Sequence, residues 1–118
     1  DVVRWQGNAR LPSTRRAMPD ADDASALFAF RRWRDESGAV LREAHAGVAA
    51  NRPSCPTLLV ASAQDEDVPP AAIAAMAGAW GASRLQTLSA SHVGPLLGRH
   101  AVAIAGQAAA WLDGLSLG

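Results

Sequence analysis

Three observations in this chain predict an α/β fold. Two short runs have strand character, Thr57-Leu58-Leu59-Val60-Ala61-Ser62 and Arg84-Leu85-Gln86-Thr87-Leu88-Ser89. Between them Ile73, Met76, Ala77 and Trp80 recur at i, i+3, i+4 and i+7, the spacing of an amphipathic helix packed on a sheet. A further helical stretch follows the second run, and strand, helix, strand, helix is by default a right-handed parallel unit.

Taken in order, residues 1 to 23 hold Gly7, Pro12, Pro19, four arginines and four aspartates with no clear apolar period, and read as a loop or linker. From Asp23 to Arg34 the apolar Leu27, Phe28, Phe30 and Trp33 share one broad helix face, with Asp22 or Asp23 available as a cap. Ser37-Gly38 breaks that pattern. A second helix is expected from about Ala39 to Ala50, with Val40, Leu41, Ala44 and Val48 on one side. Pro53 and Pro56 end it, because proline cannot continue a helix and biases the residue before it toward extended backbone.

After Pro56 the character changes to a continuous apolar run, Thr57 to Ala61, as in a parallel strand buried on both faces. Pro69-Pro70 suits a helix start and Gly81 its end. A turn with His92, Gly94 and Pro95 follows the second strand, and a last helix runs from about His100 to Leu112. The division is residues 1–51, linker and helical cap segment, and residues 52–118, sheet and packing helices.

The composition is that of a globular protein: 118 residues, 49% hydrophobic, mean hydropathy near zero. Eleven basic residues, all arginine, balance eleven acidic ones, so no charge excess calls for nucleic acid or an anionic membrane as partner. No run of eighteen apolar residues offers a spanning helix. The single Cys55 has no intramolecular partner, and no Cys/His cluster has metal-ligand spacing. A reducing, cytoplasmic setting is expected, with no metal or organic cofactor. Cys55, at a strand entrance beside Pro56, is expected to be buried and inert. The Arg31-Arg32-Trp33-Arg34 cluster, with Asp35 and Glu36 beside it, reads as a solvated face.

The chemistry lies in Asp65 and His92, twenty-seven residues apart, each a few residues beyond the end of a strand run. In an open parallel sheet functional groups gather beyond the carboxyl ends of the strands. A carboxylate that accepts the Nδ1 proton of a histidine fixes its tautomer and stabilises the imidazolium formed when Nε2 takes a proton from a nucleophile. Asp65 is the candidate acid, with Asp67 the alternative, and His92 the candidate base. His45 and His100 follow no strand end and read as structural or solvated, Trp80 and Trp111 as core, and Trp33 as the one aromatic placed to line a substrate pocket.

These residues resemble a known family. Leu58 through Pro69, with Ser62-Ala63-Gln64-Asp65 and Val68-Pro69, is similar to the acid-bearing strand and loop of the α/β-hydrolase fold, commonly written G-x-x-D-x-x-V-P. Ser89-Ala90-Ser91-His92 is similar to the end of its last strand and its catalytic histidine. Ser62 and Ser91 stand where glycine is usual. The likeness covers about residues 52 to 112, and residues 20 to 50 sit where many members insert a helical cap.

The resemblance implies an esterase-like hydrolase, in which a nucleophile attacks an ester or other small acyl substrate with His92 as base and then acid and Asp65 as its orienter. It also implies a nucleophile elbow, G-x-S-x-G, before the cap, and this chain has none. Gly81-Ala82-Ser83-Arg84 precedes a strand, follows the acid and lacks the second glycine, which rejects Ser83. The expectation is a C-terminal part of such an enzyme, inactive alone, that pairs an exposed sheet edge with the missing N-terminal half or with itself. The alternative is a non-catalytic interaction or regulatory module that retains half of the fold.

Overall fold

Prolines and glycines punctuate the chain, and the elements of a computed structural model, which describes residues 1–5 and 9–115, follow that punctuation. Strand β3 (Leu58–Ser62) begins two residues after Pro56. Helix α4 (Pro70–Trp80) opens with proline in its first turn and closes at Gly81 in the left-handed conformation, φ 62°, whose N–H bonds back to the Ala77 and Gly78 carbonyls. Strand β4 (Ser83–Thr87) returns parallel to β3 with Val60 opposite Leu85 and Ser62 opposite Thr87. A single turn, α5 (Gly94–Leu97), and the final helix α6 (Ala101–Asp113) complete this part. The predicted parallel unit is present, with β4 ending two residues earlier than expected.

The N-terminal part departs from its loop reading. Helix α1 (Leu11–Ala17) starts with Pro12 in its first turn, and its Thr14 is buried together with Met18. Proline has no N–H to leave unsatisfied there, so the residue that argues for a loop is also a helix-starting residue. Helix α2 (Asp23–Arg32) is capped by Asp22, whose carboxylate accepts the Ser25 N–H at 2.7 Å. Its inward side carries Ala26 and Ala29, while Leu27 and Phe28 are exposed. The predicted face is thus rotated, because small alanines let α2 approach α1 closely and Phe28 instead stacks under Arg32, 3.8 Å from the guanidinium carbon to the ring centre. Short strands β1 (Val2–Val3) and β2 (Glu36–Ser37) pair antiparallel, and α3 (Gly38–Ala46), shorter than predicted, is capped by Ser37.

Burial is uneven. Among the described residues the buried apolar side chains are five alanines, Met18 and Ile104, whereas Leu88, Leu96, Val102 and Val48 stand in solvent. Leu58, Leu59 and Val60 are half-buried, not enclosed on both faces, because among the described residues β3 and β4 form a sheet of two strands. Trp80 and Trp111 are half-buried and not core. The accessible surface is 8424 Å², against about 6,100 Å² for a folded monomer of this mass. The radius of gyration, 16.2 Å, exceeds the roughly 13.5 Å of a compact domain of this length. Among the described residues, no helix is long and apolar enough to cross a membrane.

Candidate active site

Beyond the carboxyl end of β3 the backbone does not diverge from its neighbour. Ala63 N–H donates to the Thr87 carbonyl at 3.0 Å and Gln64 N–H to the Ala90 carbonyl at 3.0 Å, which draws the acid loop against the segment leading to His92. A turn closed by Asp65 N–H to the Ser62 carbonyl, 3.2 Å, then aims the Asp65 side chain back into the loop. Its Oδ1 accepts the N–H groups of Asp67 at 2.9 Å and Val68 at 2.8 Å, an Asx turn that delivers the chain to Pro69-Pro70. The carboxylate thereby organises its own loop. On the other side, the Ser91 carbonyl accepts the Gly94 N–H at 3.1 Å and turns His92 out of the backbone.

The two candidates meet. His92 Nδ1 lies 2.9 Å from Asp65 Oδ2 and 3.1 Å from Oδ1. The Asp65 side chain retains 9% of its surface and that of His92 46%, so the carboxylate is covered and the ring faces solvent. Burial pushes the Asp65 carboxyl upward, but the Val68 N–H, His92 and the Asp67 N–H outweigh it and hold the group below its ordinary value. An ionised carboxylate accepts only, which assigns the proton of the contact to Nδ1, so that in the neutral ring the lone pair is on Nε2. Among the described residues no protein group bonds Nε2. Asp67, the alternative acid, is exposed and only its backbone N–H takes part.

An open cavity of about 850 Å³ adjoins the pair, walled by the acid loop, Ser91 and His92 on one side and by Ser13, Arg16 and Ala17 of α1 on the other. That second wall comes from the segment read as a linker. Proline at the start of α1 and the four-residue spacing of Thr14 and Met18 are the signals for it. Ser13 sits on a helix and not on a strand-to-helix turn, and its hydroxyl accepts from Arg16 at 3.1 Å.

The remaining candidates lie elsewhere. Trp33 packs edge-on against Trp5, ring centres 6.1 Å apart, and does not line the cavity. Cys55 is exposed, which corrects the expectation of a buried thiol: the Pro53–Pro56 segment bends at Ser54-Cys55 on the surface before β3 begins. His45 and His100 are exposed, and Ser83 is engaged in β4.

Asp65, Asp67 and His92 each offer a ligand atom within 4.8 Å of the others, a donor set of two carboxylates and an imidazole. Comparison of the chain with protein-family models, with curated proteins and with solved structures finds no match.

Proposed function

We propose that this chain supplies the acid and the histidine of an α/β-hydrolase triad that acts on an ester or other small acyl substrate, and that the nucleophile comes from a segment outside these 118 residues. The observation that carries the reading is the Asp65–His92 contact at 2.9 Å beyond the carboxyl ends of adjacent parallel strands, with the imidazole nearly half exposed. His92 takes the proton of the attacking group through Nε2 and returns it to the leaving group. Asp65 holds the tautomer and stabilises the imidazolium. The surface excess of roughly 2,300 Å² over a self-contained monomer supports a role as part of a larger sheet, since a standard interface buries about 800 Å² per partner.

The same exposed apolar surface favours a second reading, an interaction module that binds a partner without turnover. One experiment separates the two. The coding sequence upstream of the codon for Asp1 is translated in frame and searched for a strand followed by G-x-S-x-G, the whole reading frame is expressed, and p-nitrophenyl ester hydrolysis is measured with and without His92→Ala. Turnover lost in His92→Ala is the expected result. Turnover that survives His92→Ala, or the lack of a nucleophile turn in that frame and in neighbouring genes, overturns the catalytic reading. Hydrolysis by the present chain alone, abolished by Ser13→Ala, would overturn the external nucleophile.

A further inference from the structure

The residue before the candidate base is held from a distance. Ser91 is 4% exposed, and both of its donors go to one carboxylate 71 positions away: its hydroxyl to Asp20 Oδ1 and its N–H to Asp20 Oδ2 at 3.3 Å. The backbone of Asp20 is engaged as well, its carbonyl accepting the Arg99 N–H at 3.0 Å and Arg99 Nε at 3.4 Å. The turn that carries His92 makes room for this grip, because a methyl group added at Gly94 or at Gly98 would overlap the Asp20 carboxylate. A serine in place of the glycine usual before the histidine thus adds a hydroxyl donor to the backbone N–H that binds Asp20, the residue after Pro19 of the cavity wall.

We infer that Asp20 is a positioning residue of the Asp65–His92 pair, fixing Ser91 by two hydrogen bonds and so setting where the adjacent imidazole presents Nδ1 to Asp65. The inference rests on the reading of that pair as the acid and base of a triad. His92 itself is nearly half exposed, and among the described residues its ring is hydrogen-bonded by Asp65 alone, so its direction depends also on the backbone on either side. The acid loop is held by its own Asx turn, and Asp20 does the corresponding work for the histidine turn.

The test reads the tautomer of His92 by long-range proton–nitrogen correlation in the present chain, at a pH where the ring is neutral. The wild-type chain is expected in the Nδ1–H form. Asp20→Ala is expected to shift it to the Nε2–H form that free imidazole favours, and Asp20→Asn, whose amide has the shape and the donor and acceptor to keep both bonds to Ser91, to restore Nδ1–H. Stability loss alone would not move this ratio. A folded Asp20→Ala with the wild-type tautomer overturns the positioning role while leaving the pair intact. An Nε2–H wild type instead overturns the pair, and with it the proposed function. Should Asp20→Ala lose its helical circular dichroism, Ser91→Ala decides: it removes one bond and keeps the other, a fall of roughly fivefold in the Nδ1–H to Nε2–H ratio is expected, and an unchanged ratio overturns the inference.

Discussion

Replacing Gly94 by alanine places a methyl group where the Asp20 carboxylate sits, so its cost depends on whether that carboxylate is there. In Asp20→Ala two hydrogen bonds to a partly buried, charged acceptor are lost, together about 3–6 kcal/mol. Gly94→Ala alone evicts the carboxylate from the same bonds and incurs a comparable loss, offset by up to about 1 kcal/mol of helix propensity in α5. With both changes made, the methyl enters vacated space and meets mainly the Ala90 Cβ, 3.0 Å away. The double variant is then little worse than Asp20→Ala, and the coupling energy is about 2 kcal/mol or more. Urea unfolding of the four proteins at neutral pH, followed by far-ultraviolet circular dichroism, measures it. Costs that add to within about 0.5 kcal/mol would refute the claim that Asp20 occupies the space of these glycines.

Asp65→Asn turns one oxygen facing His92 into a donor, so Nδ1 must accept and the ring is expected in the Nε2–H form; in an assembled enzyme the loss in kcat is about 10⁴-fold. The same nitrogen correlation spectra check the first effect and ester turnover the second. Because the Asp65 carboxyl is depressed in the fold, its contribution to stability is present above the unfolded value of about 3.9 and is lost as pH falls through the lower folded value. Urea midpoints at successively lower pH should therefore fall further in the wild type than in Asp65→Asn, and parallel curves would contradict this. Gly81→Ala forces a side chain into a left-handed backbone with only the Arg52 side chain nearby, so a loss of about 1–2 kcal/mol from strain is expected in thermal unfolding.

The parallel unit is legible in the sequence because its signals are local: a prolyl boundary, an apolar run, an i, i+3, i+4, i+7 helix and a glycine stop each act within a few residues. The pairing of Asp65 with His92 is legible for the same reason, since both lie a short loop beyond strands that one helix connects. What is not legible depends on contacts across many residues. Nothing within ten positions of Asp20 shows that it binds Ser91, and the buried side of α2 is set by α1, an element that the prolines and arginines around it disguise. Phe28 misleads the face assignment because an aromatic ring can be satisfied by a stacked arginine on the surface as well as by a core. Leu58 to Val60 mislead differently: their composition is that of a doubly covered strand, and the cover on them is only partial.

That partial cover bears on how the proposed chemistry could be completed. Among the described residues the most exposed large apolar ones, Leu88, Leu96, Val102 and Val48, are all absent from the wall of the cavity beside His92. Surface that calls for a partner and surface that would receive a substrate are therefore carried by different residues. Burying the first is driven by apolar area, at about 25 cal/mol per Å², while the second is mixed, with Ser13, Arg16, Gln64 and Glu66 beside Ala17, Pro19 and Ala63. A segment that packs on the apolar faces can bring a nucleophile toward Nε2 without filling the cavity, whereas a segment that fills the cavity would have to bury the charges of Arg16 and Glu66. On these grounds the completing partner proposed above would dock on these apolar surfaces and leave the cavity open to a small molecule, as the proposed hydrolase reading requires. A partner that instead occludes His92, seen as loss of solvent exchange at its ring on binding, would speak for the interaction module.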